Sequence, residues 1–250
     1  MAALDIDRMK AMSAEEISAL LSPGNAERPM AILLAAEAGF ADAQALYGQM
    51  LLDGDGVPRN PRAAIVWFHK AAEQGHAMAI NMIGRCYDLG WGVEIDKSRA
   101  AEWFRLAADL GLDWGLYNYA TLLALGDGVP EDKPAALVLF REAAAMGNAK
   151  AANFVGSFYE DGWVVERDMP VAARHYRQAA EGGDFRGCFN HARMLAEAGE
   201  IDSALHWLRR AGETATPAFV DKATAWLAGS KDERLRSDGV AAMIDARGAS

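Results

Sequence analysis

The sequence predicts an all-α fold, a right-handed α-solenoid (superhelix) of helix-turn-helix repeats, each 36 residues long. The first supporting observation is that the same residues return at this spacing. The recurring residues are Gly54, Gly90, Gly126 and Gly162, the pairs Ala71-Ala72, Ala107-Ala108, Ala143-Ala144 and Ala179-Ala180, and the glycines Gly75, Gly111, Gly147 and Gly183. A fixed period between about 20 and 50 residues is typical of stacked repeats. The second observation is that each repeat contains two amphipathic helical patterns.

The first helix of a repeat is illustrated by the segment that precedes Gly90. Its apolar residues share one helical face at spacings i, i+1, i+4 and i+5; they are Met82, Ile83, Cys86 and Tyr87. Glycine readily adopts the left-handed conformation that ends a helix. We therefore expect Gly90 and its three equivalents to lie at helix ends.

The second helix begins at a polar residue. Asp96 is an N-cap candidate, because its carboxylate can accept hydrogen bonds from the free N–H groups of the first turn. The same position in other repeats is occupied by Asn60, Asp132 and Asp168. The apolar face follows at spacings i, i+3, i+4 and i+7, in Ala100, Trp103, Phe104 and Ala107. We expect Trp103 and its equivalents, Trp67 and Trp207, to be largely buried.

Small residues occupy one position of every first helix. This column contains Gly48, Gly84, Ala120, Gly156 and Ala192. Side chains of this size allow the two helices of a repeat to approach closely, so we expect Gly84 and Gly156 to lie where two helices nearly touch.

The pattern changes at both ends and divides the chain into three regions. We expect an N-terminal capping helix region over 1–27, where Ser13 and Glu16 have the spacing of a capping box. The repeat array covers 28–212, as a half repeat, four full repeats and one shortened repeat. Capping helices and a polar tail follow over 213–250. Atypical ends of this kind keep a repeat array soluble.

The pattern resembles the Sel-one-like repeat, a relative of the tetratricopeptide repeat. Residues 76–111 carry the match in Gly84, Tyr87, Gly90, Gly92, Val93, Asp96, Ala100, Trp103, Ala107, Ala108 and Gly111. The resemblance covers about residues 28–212. It departs in the fourth repeat, where Val164 replaces a loop glycine and His175 replaces the tryptophan. It implies an adaptor that holds proteins together, and the chain lacks the cysteines that form a disulfide in each repeat of the secreted members.

Composition and charge exclude several classes of partner. The net charge is −10, from 25 basic and 35 acidic residues, whereas non-specific nucleic-acid binding uses a basic surface. The N-terminus has acidic residues where a signal peptide has basic ones, and no apolar core segment follows. No apolar run approaches the roughly 18 residues that span a bilayer. We therefore expect a cytoplasmic protein that neither binds nucleic acid nor inserts into a membrane.

No motif for catalysis, a cofactor or a metal stands out. The five histidines lack the paired spacing of zinc sites. His191 occupies a core position of the repeat, where packing with a satisfied ring is favoured over metal ligation. Cys86 and Cys188 lie almost three repeats apart, so a disulfide between them is not expected, and Cys86 occupies a core column. We predict no cofactor, no metal site and no enzymatic activity.

The candidate binding site is the surface of the first helices that the core does not use, which we call the first-helix face. In related superhelices this face lines a concave groove. Its predicted members are Met78, Asn81, Arg85, Trp114, Tyr117, Thr121, Lys150, Asn153, Ser157, Arg186, Phe189 and Arg193. Large aromatic side chains and four basic residues on one face of an acidic protein favour a ligand groove. The alternative is an ordinary solvated surface whose aromatic residues pack against neighbouring helices.

The function predicted from these features is that of a non-catalytic scaffold that binds a segment of a protein or peptide partner in the concave groove. Stacked repeats build extended binding surfaces of this kind. Two alternatives remain: a structural subunit of a larger assembly, and an enzyme whose site is assembled across repeats. A large apolar patch outside the groove would favour the assembly subunit, and clustered titratable groups in a cleft would favour the enzyme.

Overall fold

The computed structural model describes residues 4–246, and every regular element in that range is helical. The first eight helices are α1 (Ile6–Lys10), α2 (Ala14–Leu21), α3 (Arg28–Glu37), α4 (Ala41–Asp53), α5 (Pro61–Ala72), α6 (Ala77–Leu89), α7 (Lys97–Asp109) and α8 (Asp113–Leu125). The others are α9 (Lys133–Ala145), α10 (Ala149–Asp161), α11 (Met169–Glu181), α12 (Phe185–Glu197), α13 (Ile201–Thr214), α14 (Pro217–Ala228), a π-helical turn (Leu235–Gly239) and α15 (Val240–Asp245). The all-α prediction is confirmed; the last residues of the predicted polar tail, 247–250, lie outside the described range.

The helices form two compact units, residues 1–131 and 132–250, called here the N-terminal and C-terminal units. In the N-terminal unit each helix from α4 to α8 packs against the next, and in the C-terminal unit each helix from α9 to α13 does the same. This packing of successive helix pairs is the α-solenoid class that the 36-residue period predicts. The boundaries proposed for the capping regions stay a prediction.

The predicted helix ends are confirmed. Gly90 is the C-cap of α6, with φ of 74°, and its three equivalents also adopt positive φ values. At the start of α7, the side chain of Asp96 accepts a hydrogen bond from the backbone N–H of Arg99, at 2.9 Å. Asn60, Asp132 and Asp168 cap α5, α9 and α11 in the same way. The sequence thus predicts where the first helices of these repeats end and where the second helices begin.

The two helices of a repeat approach closely at the predicted glycines. A Cβ atom added to Gly84 of α6 would lie 2.6 Å from Cδ1 and Cε1 of Phe104 in α7. A Cβ atom added to Gly156 of α10 would lie equally close to the ring of Tyr176 in α11, at 2.6 Å. These rings occupy the space that a side chain would fill, so glycine is required by packing at both positions.

The expected burial of the tryptophans is met only in part. Trp67, Trp103 and Trp207 are partly buried at the edges of apolar clusters. The residue that follows Trp67 or Trp103 points into the core instead. Phe68 is 1% exposed and Phe104 is 2% exposed. Both cysteines are free and buried, as expected of core residues without a disulfide.

The N-terminal capping region contains the predicted motif and one further helix. The side chain of Ser13 accepts from the N–H of Glu16, and the Glu16 carboxylate accepts from the N–H of Ser13, at 2.8 Å. This capping box opens α2, as predicted. The short helix α1 before it was not predicted, since it contains fewer than two turns of periodic sequence.

The loop of the fourth repeat keeps the geometry of its relatives although a valine replaces the glycine. Val164 has φ of 55°, whereas the equivalent Gly56, Gly92 and Gly128 have φ values of 68°, 78° and 77°. A branched residue is strained in this left-handed region. The repeat therefore imposes its loop conformation on a residue that disfavours it.

Candidate partner-binding face

The twelve predicted residues of the first-helix face divide between the two units. In the N-terminal unit, α6 carries Met78, Asn81 and Arg85, and α8 carries Trp114, Tyr117 and Thr121. In the C-terminal unit, α10 carries Lys150, Asn153 and Ser157, and α12 carries Arg186, Phe189 and Arg193. The structure gives the two groups different surroundings.

The N-terminal unit presents an exposed apolar and aromatic surface. Met78 is 41% exposed and Trp114 is 38% exposed, which is high for side chains of this size. Tyr117 is partly buried and meets Trp114 edge-on, with ring centroids 5.9 Å apart. Thr121 lies one turn later, and its hydroxyl donates to the carbonyl of Tyr117 at 2.8 Å. Two rings in this arrangement can receive an apolar side chain.

Arg85 lies two turns after Met78 on α6, and its side chain is held by an aromatic ring. Its guanidinium lies over the indole of Trp91, 4.7 Å from the ring centroid, a cation–π contact. Nη1 also lies 3.9 Å from the sulfur of Met82. Arg85 forms no ion pair with any residue in the described part of the chain.

Asn81 departs from the expected role. It is only 3% exposed, and its Oδ1 accepts a hydrogen bond from Nδ2 of Asn118 at 2.8 Å. Asn118 lies on α8, so the bond joins the first helices of two neighbouring repeats. The expectation that this amide is exposed on the groove surface is wrong, because a buried amide oxygen requires a partner and the next repeat supplies it.

The C-terminal unit repeats this arrangement with Asn153, which is 7% exposed. Its Oδ1 accepts from Nδ2 of Asn190 on α12, also at 2.8 Å. Asn153 therefore also links two first helices instead of lying on the surface. Ser157, one turn later, donates to the carbonyl of Asn153 at 3.3 Å.

Phe189 was expected on the surface and is covered by α14. It is 8% exposed, and its ring meets those of Phe219 and Trp226 edge-on, at centroid distances of 5.5 Å and 5.6 Å. Both partners lie on α14. The interpretation of Phe189 as a ligand contact is corrected here, because the C-terminal helix of the same chain packs on this face.

Arg193 is held in a network inside the C-terminal unit. Its Nη2 lies 2.9 Å from Oε2 of Glu160, and both of its terminal nitrogens also donate to Oε1 at 3.1 Å. Tyr176 donates its hydroxyl proton to the same carboxylate at 2.5 Å. Burial alone would raise the pKa of Glu160, but these two donors and the charge of Arg193 lower it below its usual value. Arg193 thus serves the fold, and its side chain is not available to a ligand carboxylate.

The other two residues of the C-terminal group lie at the start of their helices. Arg186 is exposed, and its guanidinium lies 4.5 Å from the ring centroid of Phe185 and 6.0 Å from that of Phe219. Lys150 is partly buried in the first turn of α10. Helix α14 therefore covers or contacts much of the face that the sequence assigned to this unit.

A cavity beside Arg85 was missed by the sequence analysis. It has a volume of about 340 Å³ and is lined by Gln49, Leu52, Asp53, Arg59, Arg85 and Trp91. Arg59 and Trp91 lie in loops between helices, where helical periodicity does not predict which side chains share a face. A signal was present in the repeat register: Trp91 stands where two other repeats have Asp55 and Asp127.

The described residues contain no cluster of side chains suited to holding a metal ion. Within residues 4–246, no three histidine, cysteine, aspartate or glutamate side chains are grouped so as to hold a metal ion. His191 packs edge-on against Trp207 at 5.3 Å, as expected for a core histidine, and burial lowers its pKa. We expected both ring nitrogens of His191 to have hydrogen-bond partners. That expectation is wrong for Nδ1, which is buried without a partner in that range.

None of the helices described is long and apolar enough to cross a bilayer.

The repeat pattern and the helix pairs place the chain in a known family. The Sel1 repeat model matches more than half of the chain, over residues 41–76, 77–112, 115–148, 149–184 and 189–213. The chain therefore belongs to the Sel1 repeat family, which confirms the resemblance seen in the sequence. Sel1 repeat proteins are generally non-catalytic scaffolds for protein interactions. No protein of curated function matches the chain significantly.

Solved structures support the same assignment. A Sel1 repeat protein from Oxalobacter formigenes is 25% identical with a TM-score of 0.77, and the match covers 95% of this chain and 100% of that one. The protective antigen c5321 of uropathogenic Escherichia coli, which has an SLR fold, is 29% identical with a TM-score of 0.67 over 90% of this chain. The match spans 49% of the antigen's length. The immunity protein Pa5087 of Pseudomonas aeruginosa, at 20% identity and a TM-score of 0.53 over 82% of this chain and 81% of that one, shares the fold.

Proposed function

We propose that this protein is a non-catalytic interaction scaffold that binds a segment of a partner protein on α6 and α8. The binding surface, called here the N-terminal face, consists of Met78, Arg85, Trp114, Tyr117 and Thr121. All five residues lie in the N-terminal unit. In the C-terminal unit, the equivalent position on α12 is covered by aromatic rings of α14.

The observation that carries this proposal is the packing of α14 on α12. In the repeat register, Phe189 of α12 is equivalent to Tyr117 of α8. The chain's own helix places two aromatic rings against Phe189, within 5.6 Å. An amphipathic helix thus fits this face of a Sel1 repeat, and an equivalent surface on α8 suits a helix from a partner.

The exposed side chains define the chemistry of that partner. Tyrosine and tryptophan are enriched among the residues that dominate binding energy, because they bury a large area at low entropic cost. Trp114 and Tyr117 therefore suit an aromatic or aliphatic anchor of the partner. Arg85 adds a positive charge at one side of this surface, which favours an acidic group near the anchor.

The test begins with a partner captured from the native organism and then measures its affinity by calorimetric titration. Trp114→Ala and Tyr117→Ala are each expected to weaken binding by about 2 kcal/mol, or about thirtyfold in Kd. The matched control is Arg105→Ala on α7, whose side chain is 58% exposed and pairs with Asp109. Loss of binding in Arg105→Ala with full binding in Trp114→Ala would contradict the proposal.

A second function, as a subunit of a larger assembly, is favoured by one apolar cavity near the N-terminus. The cavity has a volume of about 420 Å³, and its lining includes Ile17, Leu21, Phe40 and Leu46. Phe40 is 58% exposed, so the protein leaves a large ring in water there. If this surface holds a second subunit, Phe40→Asp converts an oligomer into a monomer in analytical ultracentrifugation, whereas Leu110→Asp on another exposed surface does not.

A further inference from the structure

The cavity next to the N-terminal face has an unusual charge for this protein. Two arginine side chains, Arg59 and Arg85, line it together with Asp53, in a chain whose net charge is −10. Some other arginines pair with acids, as Arg28 does with Asp55 at 2.7 Å. Neither Arg59 nor Arg85 forms an ion pair with any residue from 4 to 246.

Each guanidinium is held in place by a contact that leaves donors unused. Nε of Arg59 donates to the carbonyl of Leu52 at 2.9 Å, and its two terminal nitrogens donate to no described residue. The guanidinium of Arg85 lies over Trp91. The contacts with Leu52 and Trp91 reduce the entropy that a ligand must remove on binding.

The acidic residue of the cavity is already engaged. Oδ2 of Asp53 accepts a hydrogen bond from Nε2 of Gln49 at 2.6 Å. The cavity therefore contains two positive charges against one negative charge, and the negative charge has its own donor. This excess of positive charge favours an anionic ligand.

We propose that the cavity lined by Arg59, Arg85 and Trp91 binds a carboxylate of the partner segment. Guanidinium groups donate two parallel hydrogen bonds to a carboxylate, a geometry that an ammonium does not offer. The carboxylate is either the C-terminus of the partner or an aspartate or glutamate side chain, and the recognition chemistry is the same. This inference rests on the proposed function, since Arg85 belongs to the N-terminal face. Its test uses short peptides and does not require the partner.

The test uses short peptides and the indole N–H signal of Trp91 in a nitrogen-15 NMR spectrum, assigned with Trp91→Phe. The probes are N-acetyl-trialanine with a free carboxyl group, N-acetyl-Ala-Glu-Ala-amide and, as the neutral control, N-acetyl-Ala-Gln-Ala-amide. We expect a saturable shift with one or both carboxylate probes and none with the neutral one; the probe that binds more tightly identifies the source of the carboxylate. Added salt is expected to weaken binding, because it screens the ion pair.

Variants of the two arginines complete the test. Arg59→Gln and Arg85→Gln are each expected to weaken binding of the carboxylate probe by about tenfold or more, and Arg105→Gln is expected to leave it unchanged. Equal shifts with the neutral probe, no shift with either carboxylate, or full binding in both arginine variants would overturn the inference. Trp114→Ala separates the two proposals, because it is expected to weaken binding of the partner and to leave binding of the peptide probes unchanged. If the probes do not bind but the partner does, only the carboxylate site is rejected.

Discussion

Arg193 of α12 and Glu160 of α10 form a salt bridge in which both side chains are less than one-fifth exposed, at 18% and 19%. The two residues come from neighbouring repeats. Tyr176 of α11 donates to the same carboxylate, so three successive helices meet at Glu160. A residue that the sequence placed on a binding surface therefore stabilises the packing of repeats.

The first prediction concerns Glu160→Gln, which removes the charge and keeps the shape. At neutral pH the variant is expected to lose about 2 kcal/mol of unfolding free energy, because two donors to a charged acceptor are weakened. The pKa of Glu160 is lowered in the folded state, so its contribution is complete above the unfolded pKa, about 4.3, and is lost as pH falls through the folded pKa. Urea unfolding at several pH values measures this, and the difference between wild type and variant is expected to shrink in acid.

The control for that prediction is an exposed ion pair in the same unit. Arg234 lies 2.6 Å from Asp202, whose side chain is 88% exposed. Asp202→Asn is expected to leave the unfolding free energy nearly unchanged, since exposed pairs contribute little. An equal loss in the two variants, or a Glu160→Gln effect that does not vary with pH, would contradict our assignment.

The second prediction concerns Gly84→Leu. A leucine here meets the ring of Phe104, which lies 2.6 Å from the position of its first side-chain atom. Overpacking of this kind costs about 1–3 kcal/mol or more, so the melting temperature is expected to fall. Glu102→Leu adds the same side chain at an exposed position of α7 and is expected to leave the melting temperature nearly unchanged. A wild-type melting temperature for Gly84→Leu would refute the contact.

The third prediction is that Val164→Gly stabilises the protein. Val164 adopts φ of 55° and is 51% exposed, so glycine removes backbone strain at the loss of little buried area. The expected gain is about 1 kcal/mol, measured by chemical denaturation. The next residue, Val165, does not have a positive φ, so Val165→Gly is expected to destabilise the protein. A loss of stability in Val164→Gly would mean that its side chain contributes more than its backbone conformation costs.

The fourth prediction concerns the two thiols. Burial raises the pKa of Cys86 to about 12 and that of Cys188 to about 11, whereas an exposed cysteine has a pKa near 8.5. Because the thiolate is the reactive form, both residues are expected to resist a thiol reagent at pH 8 in the native protein. Both are expected to react once guanidinium unfolds the chain. Fast labelling of the native protein at either cysteine would show that it is accessible.

Much of the fold was predictable because the information is local and repeated. Gly90 and Asp96 mark a helix end and a helix start by their own backbone and side-chain chemistry, and their equivalents repeat the same signal. The close approach of two helices at Gly84 followed from the small-residue column. The depth of Trp103 was overestimated, because an apolar stripe shows which side of a helix faces inward and not which of two adjacent rings lies deeper.

The candidate site was less predictable because its members depend on contacts between distant segments. Asn81 pairs with Asn118, which is 37 residues away and so belongs to a different column of the repeat. Comparing equivalent positions does not detect such a pair. The burial of Phe189 depends on Phe219 of α14, a helix outside the repeat pattern. The sequence predicted capping helices over 213–250 but not which side chains of the repeats they cover.

The two asparagine pairs determine how this array can be shortened. Asn81 and Asn153 lie 72 residues apart, as do Asn118 and Asn190, so the pairing has a period of two repeats. Deleting one repeat, residues 113–148, brings Phe154 into the register of Asn118 and leaves the buried oxygen of Asn81 without a donor, at a cost of about 1–3 kcal/mol. Deleting 113–184 brings Asn190 into that register and restores the donor. Between Asn81 and Asn190, the array therefore loses length without losing its amide pairing only in steps of two repeats.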